Sequence, residues 1–395
     1  MLSFLLPIIY LSFISLGLPD SLLGSAWPVV RAELDAPLPM AGVITMVICA
    51  GTIVSSLMSD RLTRKLGAGL VTAVSVAMTC LALFGFSTAG SVAVMCLWAI
   101  PYGLGAGAVD AALNNYVALH YSARHMSWLH AFWGVGASLG PYIMASCLAD
   151  NNNWRGGYST VSLLQLVLTA ALFLSLPVWN RVKSEDAAAE EVQAVPLSLL
   201  QALRIRGVPY MLTAFFAYCA LEAACGLWAS SYLVEYRGMD TGPAARFASL
   251  FCLGMTAGRF LNGFIADRVG DRRLIRIGTI VMIGGMGLVM IPAADMFALA
   301  GLLVIGIGCA PVYPSIIHAT PDNFGRENSQ AIVGIQMASA YVGSTFMPPV
   351  FGLIANHISI ALYPYFMAAF AVLMLVMTER LNRVCGKKIR EDLRI

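Results

Sequence analysis

Residues 50–65 read AGTIVSSLMSDRLTRK, and residues 257–273 read AGRFLNGFIADRVGDRR. In each stretch an apolar run passes through Ala-Gly, reaches Asp-Arg nine residues after the Gly, and ends in a basic turn. Gly51 aligns with Gly258, Asp60 with Asp267 and Arg61 with Arg268, an offset of 207 residues in a chain of 395. A pattern that recurs at about half the chain length marks an internal duplication. In a chain this apolar, duplication predicts two related membrane-embedded halves, the plan of a secondary transporter.

Composition leads to the same place independently. The chain is 59% hydrophobic and 11% charged, with a mean hydropathy of +0.77; a soluble domain carries about 25% charged residues. Apolar runs predict twelve spans near 2–30, 39–59, 68–88, 91–119, 127–149, 158–180, 208–234, 244–266, 274–293, 296–318, 328–355 and 360–380. Each is long enough to cross a hydrocarbon core of ~30 Å. Hydrocarbon offers the backbone no hydrogen bonds, and the runs lack the period-2 alternation of a barrel, so the spans are helices. The expected fold is an all-α membrane protein of twelve transmembrane helices in two six-helix pseudo-symmetric halves, 1–180 and 208–395. A cytoplasmic linker, 181–207, joins them, and a short cytoplasmic tail closes the chain.

Lys and Arg set the orientation. Nineteen of the 24 fall on the side that holds both termini; Arg31, Arg155, Arg237 and Arg246 fall opposite, and Arg259 lies inside a span. The rich side is therefore read as cytoplasmic, in a multi-pass protein of the cytoplasmic (inner) membrane. The net charge of +3 reports this topology and implies no nucleic-acid partner. The first apolar run lacks a basic flank and continues into Pro19-Asp20, so it reads as a span and not as a cleaved signal. The nine cysteines are scattered without a CxxC pair, which reads as packing, with no disulfide framework or metal site. In the linker, the polar stretch 183–191 reads as a tether and 196–206 as a short interfacial helix.

The second turn, Gly263-Phe-Ile-Ala-Asp267-Arg268-Val-Gly270-Asp-Arg272-Arg273, resembles the cytoplasmic loop signature of the major facilitator superfamily at every defined position. The first copy departs from it at Ser56 and Thr63, where glycines are expected. A narrower resemblance is to the fucose-permease-like branch of sugar:proton symporters. It is carried by Gly17-Leu-Pro-Asp20-Ser-Leu-Leu-Gly24 and by Gly103-Leu-Gly105-Ala-Gly107-Ala-Val-Asp110-Ala-Ala-Leu-Asn114. The resemblance implies that Asp20 and Asp110 serve proton coupling and solute binding, with Asp110 where the permease has Glu and Asn114 matched. Trp133 stands near the place of a sugar-binding Asn, with His130 a turn earlier, so the solute itself stays open.

A charge at mid-bilayer is expensive and needs a partner, a cavity or a proton. Asp20, Asp110 and Glu222 are the candidate proton-coupling carboxylates; the alternative for each is a hydrogen-bonded packing role. Glu222 repeats the logic of Asp20, since each precedes a Gly by four residues and then a Trp. Asp110 and Asn114 share a helix face and together offer the acceptors and donors that suit hydroxyls. The Gly pattern around them sits in an apolar span with no preceding strand and is not a dinucleotide site. Asn115, His130, Trp133, Trp228, Tyr313, Gln336 and Tyr341 are the further candidate solute-binding groups, with Tyr102 beside them. His130 reads equally as a satisfied core residue, and aromatics in such a protein mostly pack. Asp60, Arg61, Arg259, Asp267 and Arg268 read as gating-loop charges, with Arg259 paired to a loop or helix-end carboxylate. Pro311 with Pro314, and Pro348-Pro349, are expected to break the tenth and eleventh spans.

The expected activity is symport of a proton with a small polyhydroxylated solute, a sugar whose hydroxyls match these side chains, by rocker-switch alternating access. The alternative is a proton/drug antiporter exporting lipophiles. An enzyme is not expected, since no nucleophile–base arrangement is visible. No cofactor is expected beyond the proton as coupling ion. The expected partners are the small-molecule substrate and the lipid bilayer, with the chain a monomer.

Overall fold

The computed structural model of the protein describes residues 2–20, 22–37, 39–149, 153–189, 197, 199–292 and 294–392. Among them there is no strand. Among the described residues twelve spans are long and apolar enough to cross a membrane, and the chain is a multi-pass membrane protein. The first span is made of two helices, α1 (Leu2–Gly17) and α2 (Leu22–Glu33). There follow α3 (Met40–Leu66), α4 (Ala68–Ser87), α5 (Val92–His120), α6 (Ala123–Ala149) and α7 (Trp154–Ala189). A short α8 (Leu199–Arg204) precedes α9 (Val208–Glu235), α10 (Thr241–Val269) and α11 (Asp271–Met290). The tenth span is α12 (Asp295–Cys309) with α13 (Val312–His318); then come α14 (Thr320–Phe324), α15 (Arg326–His357) and α16 (Tyr363–Asp392).

Packing divides the chain into two units. One is Met1–Tyr116 with Leu129–Pro196; the other is Val117–Trp128 with Leu197–Ile395. The turn between α5 and α6 thus groups with the C-terminal helices, although by sequence it lies in the first half.

Small residues let helices meet backbone to backbone, the usual means of association where lipid supplies no hydrophobic drive. In the first unit a Cβ on Gly107 would collide with the Thr52 carbonyl oxygen, and the Ser56 hydroxyl donates to the Gly107 carbonyl at 3.2 Å. Ser56 therefore ties α3 to α5. Gln165 of α7 bridges two other helices: its Oε1 accepts from Thr79 Oγ1 at 2.9 Å, and its Nε2 donates to the Ser15 carbonyl at 2.9 Å. At the opposite end, Trp154 and Arg155 at the start of α7 both donate to Glu33 at 2.5 Å, closing α2 onto α7. In the second unit Arg276 of α11 makes a two-point pair with Glu379 of α16, at 2.6 and 2.8 Å.

Four expectations are corrected. The first span is not continuous: residues 18–20 form a turn between α1 and α2, because Pro19 cannot donate to a helical ladder. The tenth span breaks at Ala310-Pro311 as expected, but α15 runs unbroken through Pro348 and Pro349. Trp228 Nε1 of α9 donates to the Pro348 carbonyl at 2.9 Å, which ties α9 to α15 at this point. The helix α7 continues to Ala189 through the Ala-rich stretch expected to be a tether; residues 190–196 and 198 lie outside the described residues. Asp60 lies inside α3, in its last two turns, and not in the turn beyond it.

Candidate functional site

Asp20 sits in the gap between α1 and α2. Its backbone N–H donates to Gly17 O at 3.2 Å, and Leu22 N–H donates to Pro19 O at 3.1 Å, so the gap is a tight turn. Gly17 is required there: a Cβ would collide with the Trp133 carbonyl oxygen of α6. That close approach brings the α6 side chains to the carboxylate. Trp133 Nε1 donates to Asp20 Oδ2 at 3.1 Å, and the Tyr102 hydroxyl of α5 lies 3.3 Å from Oδ1. Asp20 is exposed, while Tyr102 is buried. The carboxylate thus sits at a helix break, oriented by two donors from α5 and α6.

One turn of α6 before Trp133, a second carboxylate is reached through an amide. Asn114 Nδ2 donates to Asp110 Oδ1 at 2.8 Å and to the Asp110 carbonyl at 3.0 Å. Asn114 Oδ1, which can only accept, faces His130 Nε2 at 3.0 Å. His130 Nε2 therefore carries the hydrogen of that bond. The His130 ring meets Phe13 edge-on, with centroids 5.4 Å apart. Asp110, Asn114, Asn115 and His130 are all buried. The sequence placed Asp110 and Asn114 on one face; the structure adds His130 from another helix. Trp133 on α6 and Tyr102 on α5 hold Asp20, and Asn114 on α5, backed by His130 on α6, holds Asp110.

The second unit treats its carboxylate differently. Arg259 Nη2 of α10 lies 3.3 Å from Glu222 Oε1 of α9, and the arginine is 2% exposed. The partner of Arg259 is thus a mid-span carboxylate and not a loop or helix-end one. Trp228 packs on Phe351 and is held by Pro348 O, so it braces α9 against α15. Tyr313 packs between Phe215 and Tyr218, with its hydroxyl 3.4 Å from Met337 Sδ. Gln336 is fully buried and accepts from Thr320 at 3.1 Å. Tyr341 is half-buried. These side chains are distributed over α9 (Trp228), α13 (Tyr313) and α15 (Gln336, Tyr341).

The two Asp-Arg turns also differ. Asp267 Oδ1 accepts the Arg124 backbone N–H at 3.0 Å; Asp267 Oδ2 accepts from Ser122 Oγ at 3.1 Å and faces the Arg124 guanidinium at 3.1 Å. Asp60 is buried and pairs with Arg64 of its own helix at 2.8 Å; its Oδ2 has no hydrogen-bond partner among the described residues. Arg61 and Arg268 are exposed. Sequence reasoning passed over Trp128 and Asn262. The Trp128 indole lies over Gly263 and donates to Phe260 O at 3.3 Å, and Asn262 Nδ2 donates to Ser127 Oγ at 2.7 Å. The signal was present in Gly263, a bare patch of helix facing an unassigned aromatic.

Comparison with known proteins agrees with this architecture. The family model described as Major Facilitator Superfamily matches residues 9–295 and 244–384. An uncharacterized transporter of Sinorhizobium fredii is 22% identical over 371 residues, covering 90% of this chain and 92% of its own. Among solved structures, the transporter FucP in its outward conformation, the Escherichia coli fucose:proton symporter, superposes with a TM-score of 0.77 at 15% identity, covering 95% of this chain and 97% of its own. The proton:xylose symporter XylE superposes with a TM-score of 0.76 at 13% identity, covering 94% of each chain.

Proposed function

We propose, from the premise that this chain belongs to the Major Facilitator Superfamily and is a transporter of that family, that it carries a small polyhydroxylated solute, a sugar or a close relative of one, together with a proton. The observation that carries this reading is the pairing within one unit of two differently held carboxylates. Asp20 is exposed at a helix break and held by Trp133. Asp110 is buried in a chain of hydrogen bonds with Asn114 and His130. One group exchanges protons with water; the other responds through a polar network suited to hydroxyls. The named symport activities of FucP and XylE support the same class of cargo.

In this reading Asp20 and Asp110 are the coupling carboxylates, and Asn114, Asn115, His130 and Trp133 are the solute-binding groups of the first unit. Glu222 belongs to the same pathway with Arg259 as its counter-ion, and Trp228, Tyr313, Gln336 and Tyr341 shape the second unit's contribution. Asp60, Arg61, Asp267 and Arg268 serve gating. The Lys and Arg bias supports cytoplasmic termini and residence in the cytoplasmic membrane. The proton is the coupling ion, and the chain works as a monomer by alternating access.

A thermal-shift screen of purified protein against sugars, polyols and lipophilic cations tests the cargo class, because a ligand of the folded state raises stability by mass action. Stabilisation by sugars or polyols that is lost in Asn114→Ala supports the reading. Stabilisation by lipophilic cations alone would replace it with drug/proton antiport.

A further inference from the structure

Residues 117–128 join α5 to α6 and pack with the second unit. Asp267 provides one hold on them, through Ser122 and Arg124. A second hold runs through His318, the last residue of α13, which sequence reasoning did not single out. Its Nδ1 lies 2.7 Å from Asp271 Oδ2, and its Nε2 lies 3.2 Å from the Tyr121 carbonyl oxygen. A carbonyl oxygen only accepts hydrogen bonds, and so does an ionised carboxylate. Making both contacts at once requires a proton on each ring nitrogen, or one on Nε2 and one on Asp271. Either way the pair binds one proton more than a neutral ring facing an ionised carboxylate.

We infer that His318 and Asp271 form a proton-binding site that clamps the α5–α6 turn to the second unit and loosens when its proton leaves. The surroundings make that proton matter. Asp271 Oδ1 is buried with no hydrogen-bond partner among the described residues. Asp322 of α14 adds a second carboxylate whose charge acts on the ring. Arg272, next to Asp271, is engaged instead with Asn323 Oδ1 at 3.2 Å. From the α5–α6 side the facing group is the Tyr121 carbonyl, with the His125 ring stacked edge-on behind the Tyr121 ring at 5.6 Å. Removing the proton leaves one ring hydrogen for two acceptors; Nδ1 keeps it on Asp271, Nε2 turns a lone pair toward the Tyr121 carbonyl, and the repulsion is relieved by local opening of the turn.

The site is separate from Asp20 and Asp110 and stands whatever the cargo is. Combined with the symport reading, on which this consequence alone rests, it places a proton sensor on the cytoplasmic face, where acid would hold the turn closed against further proton entry.

Hydrogen–deuterium exchange on the full-length protein in nanodiscs reads the clamp without any transport. Protection of peptides covering 117–128, corrected for intrinsic exchange, is compared at about pH 6 and about pH 8. Protection in the parent falls about tenfold or more across that interval, as loss of a charge-assisted contact requires. In His318→Gln it is low and the same at both pH values. His125→Gln keeps the parent's dependence, which assigns the effect to the right histidine. Asp271→Asn also loses the dependence, and gives the answer alone if His318→Gln does not fold. A parent protein without pH dependence here, or a His318→Gln protein that retains it, overturns the inference. So does transfer of the effect to His125→Gln.

Discussion

Asp267, near the end of α10, accepts the backbone N–H of Arg124, the second residue of α6, at 3.0 Å. The same carboxylate faces the Arg124 guanidinium at 3.1 Å. A negative charge at a helix start meets the positive end of the helix dipole and the unpaired N–H groups of the first turn. One side chain thereby engages both the backbone and the side chain of a single residue. Its other partner, Ser122, lies just before the helix.

Asp267→Asn keeps an acceptor but removes the charge. The carboxylate is 31% exposed, so the charge contributes on the order of 1 kcal/mol, a factor of about five in an equilibrium. The expected result is transport slowed several-fold with substrate preference unchanged. Initial rates for two accepted solutes measure both; a changed preference at the parent rate contradicts the gating role.

Asp60→Asn should act more weakly. Asp60 pairs through Oδ1 with Arg64 of its own helix, and its Oδ2 meets no donor among the described residues. Rates measured beside those of Asp267→Asn decide the ranking, and a larger effect at Asp60 reverses it.

Gly17→Ala tests the close approach that positions Asp20. A Cβ there collides with Trp133 O, which is backbone and cannot rotate away. Overpacking of this kind costs about 1–3 kcal/mol. A melting temperature lowered relative to the parent is expected, and an unchanged one shows that α1 and α6 are not pressed together.

Arg259→Met should destabilise by roughly 3 kcal/mol, since it leaves Glu222 without its buried partner. Adding Glu222→Gln should restore part of the loss. Thermal unfolding of the single and double variants gives the coupling; additive losses would deny the pair. Glu222→Gln alone should displace the pH profile of transport, and a profile that overlays the parent removes Glu222 from the proton pathway.

The duplication was legible because Asp-Arg turns need the same chemistry wherever a helix pair ends at a charged surface. Its geometry was not. Gly67 and Gly270 close α3 and α10 with nearly the same backbone, φ 82° and ψ 155° against φ 80° and ψ 150°. Yet Asp60 lies seven residues before its glycine and Asp267 three before its own. The extra turn draws Asp60 inside the helix packing, and no linear alignment of the two Asp-Arg pairs shows it. Asp20, Asp110 and Asn114 stood out because charge and amide are costly in an apolar run. Their partners Tyr102, Trp133 and His130 were nameable as residues, but contacts between α5 and α6 across the fold are not written in either helix. Pro19 and Pro348 look alike as letters, yet one stands in a turn between helices and the other inside an unbroken helix. His318 gave no signal, since its meaning comes from two acceptors, 47 and 197 residues away in sequence.

The central claim is that a titrating carboxylate on α5 links proton movement to solute movement, and Asp110→Asn tests it most directly. Asn retains the shape and can still bond Asn114, but it cannot carry a proton. Reconstituted in proteoliposomes, this variant should exchange labelled solute across the membrane at zero gradient while failing to accumulate it against a gradient when a pH difference is imposed. Uphill accumulation at the parent level would contradict the account and remove Asp110 from coupling.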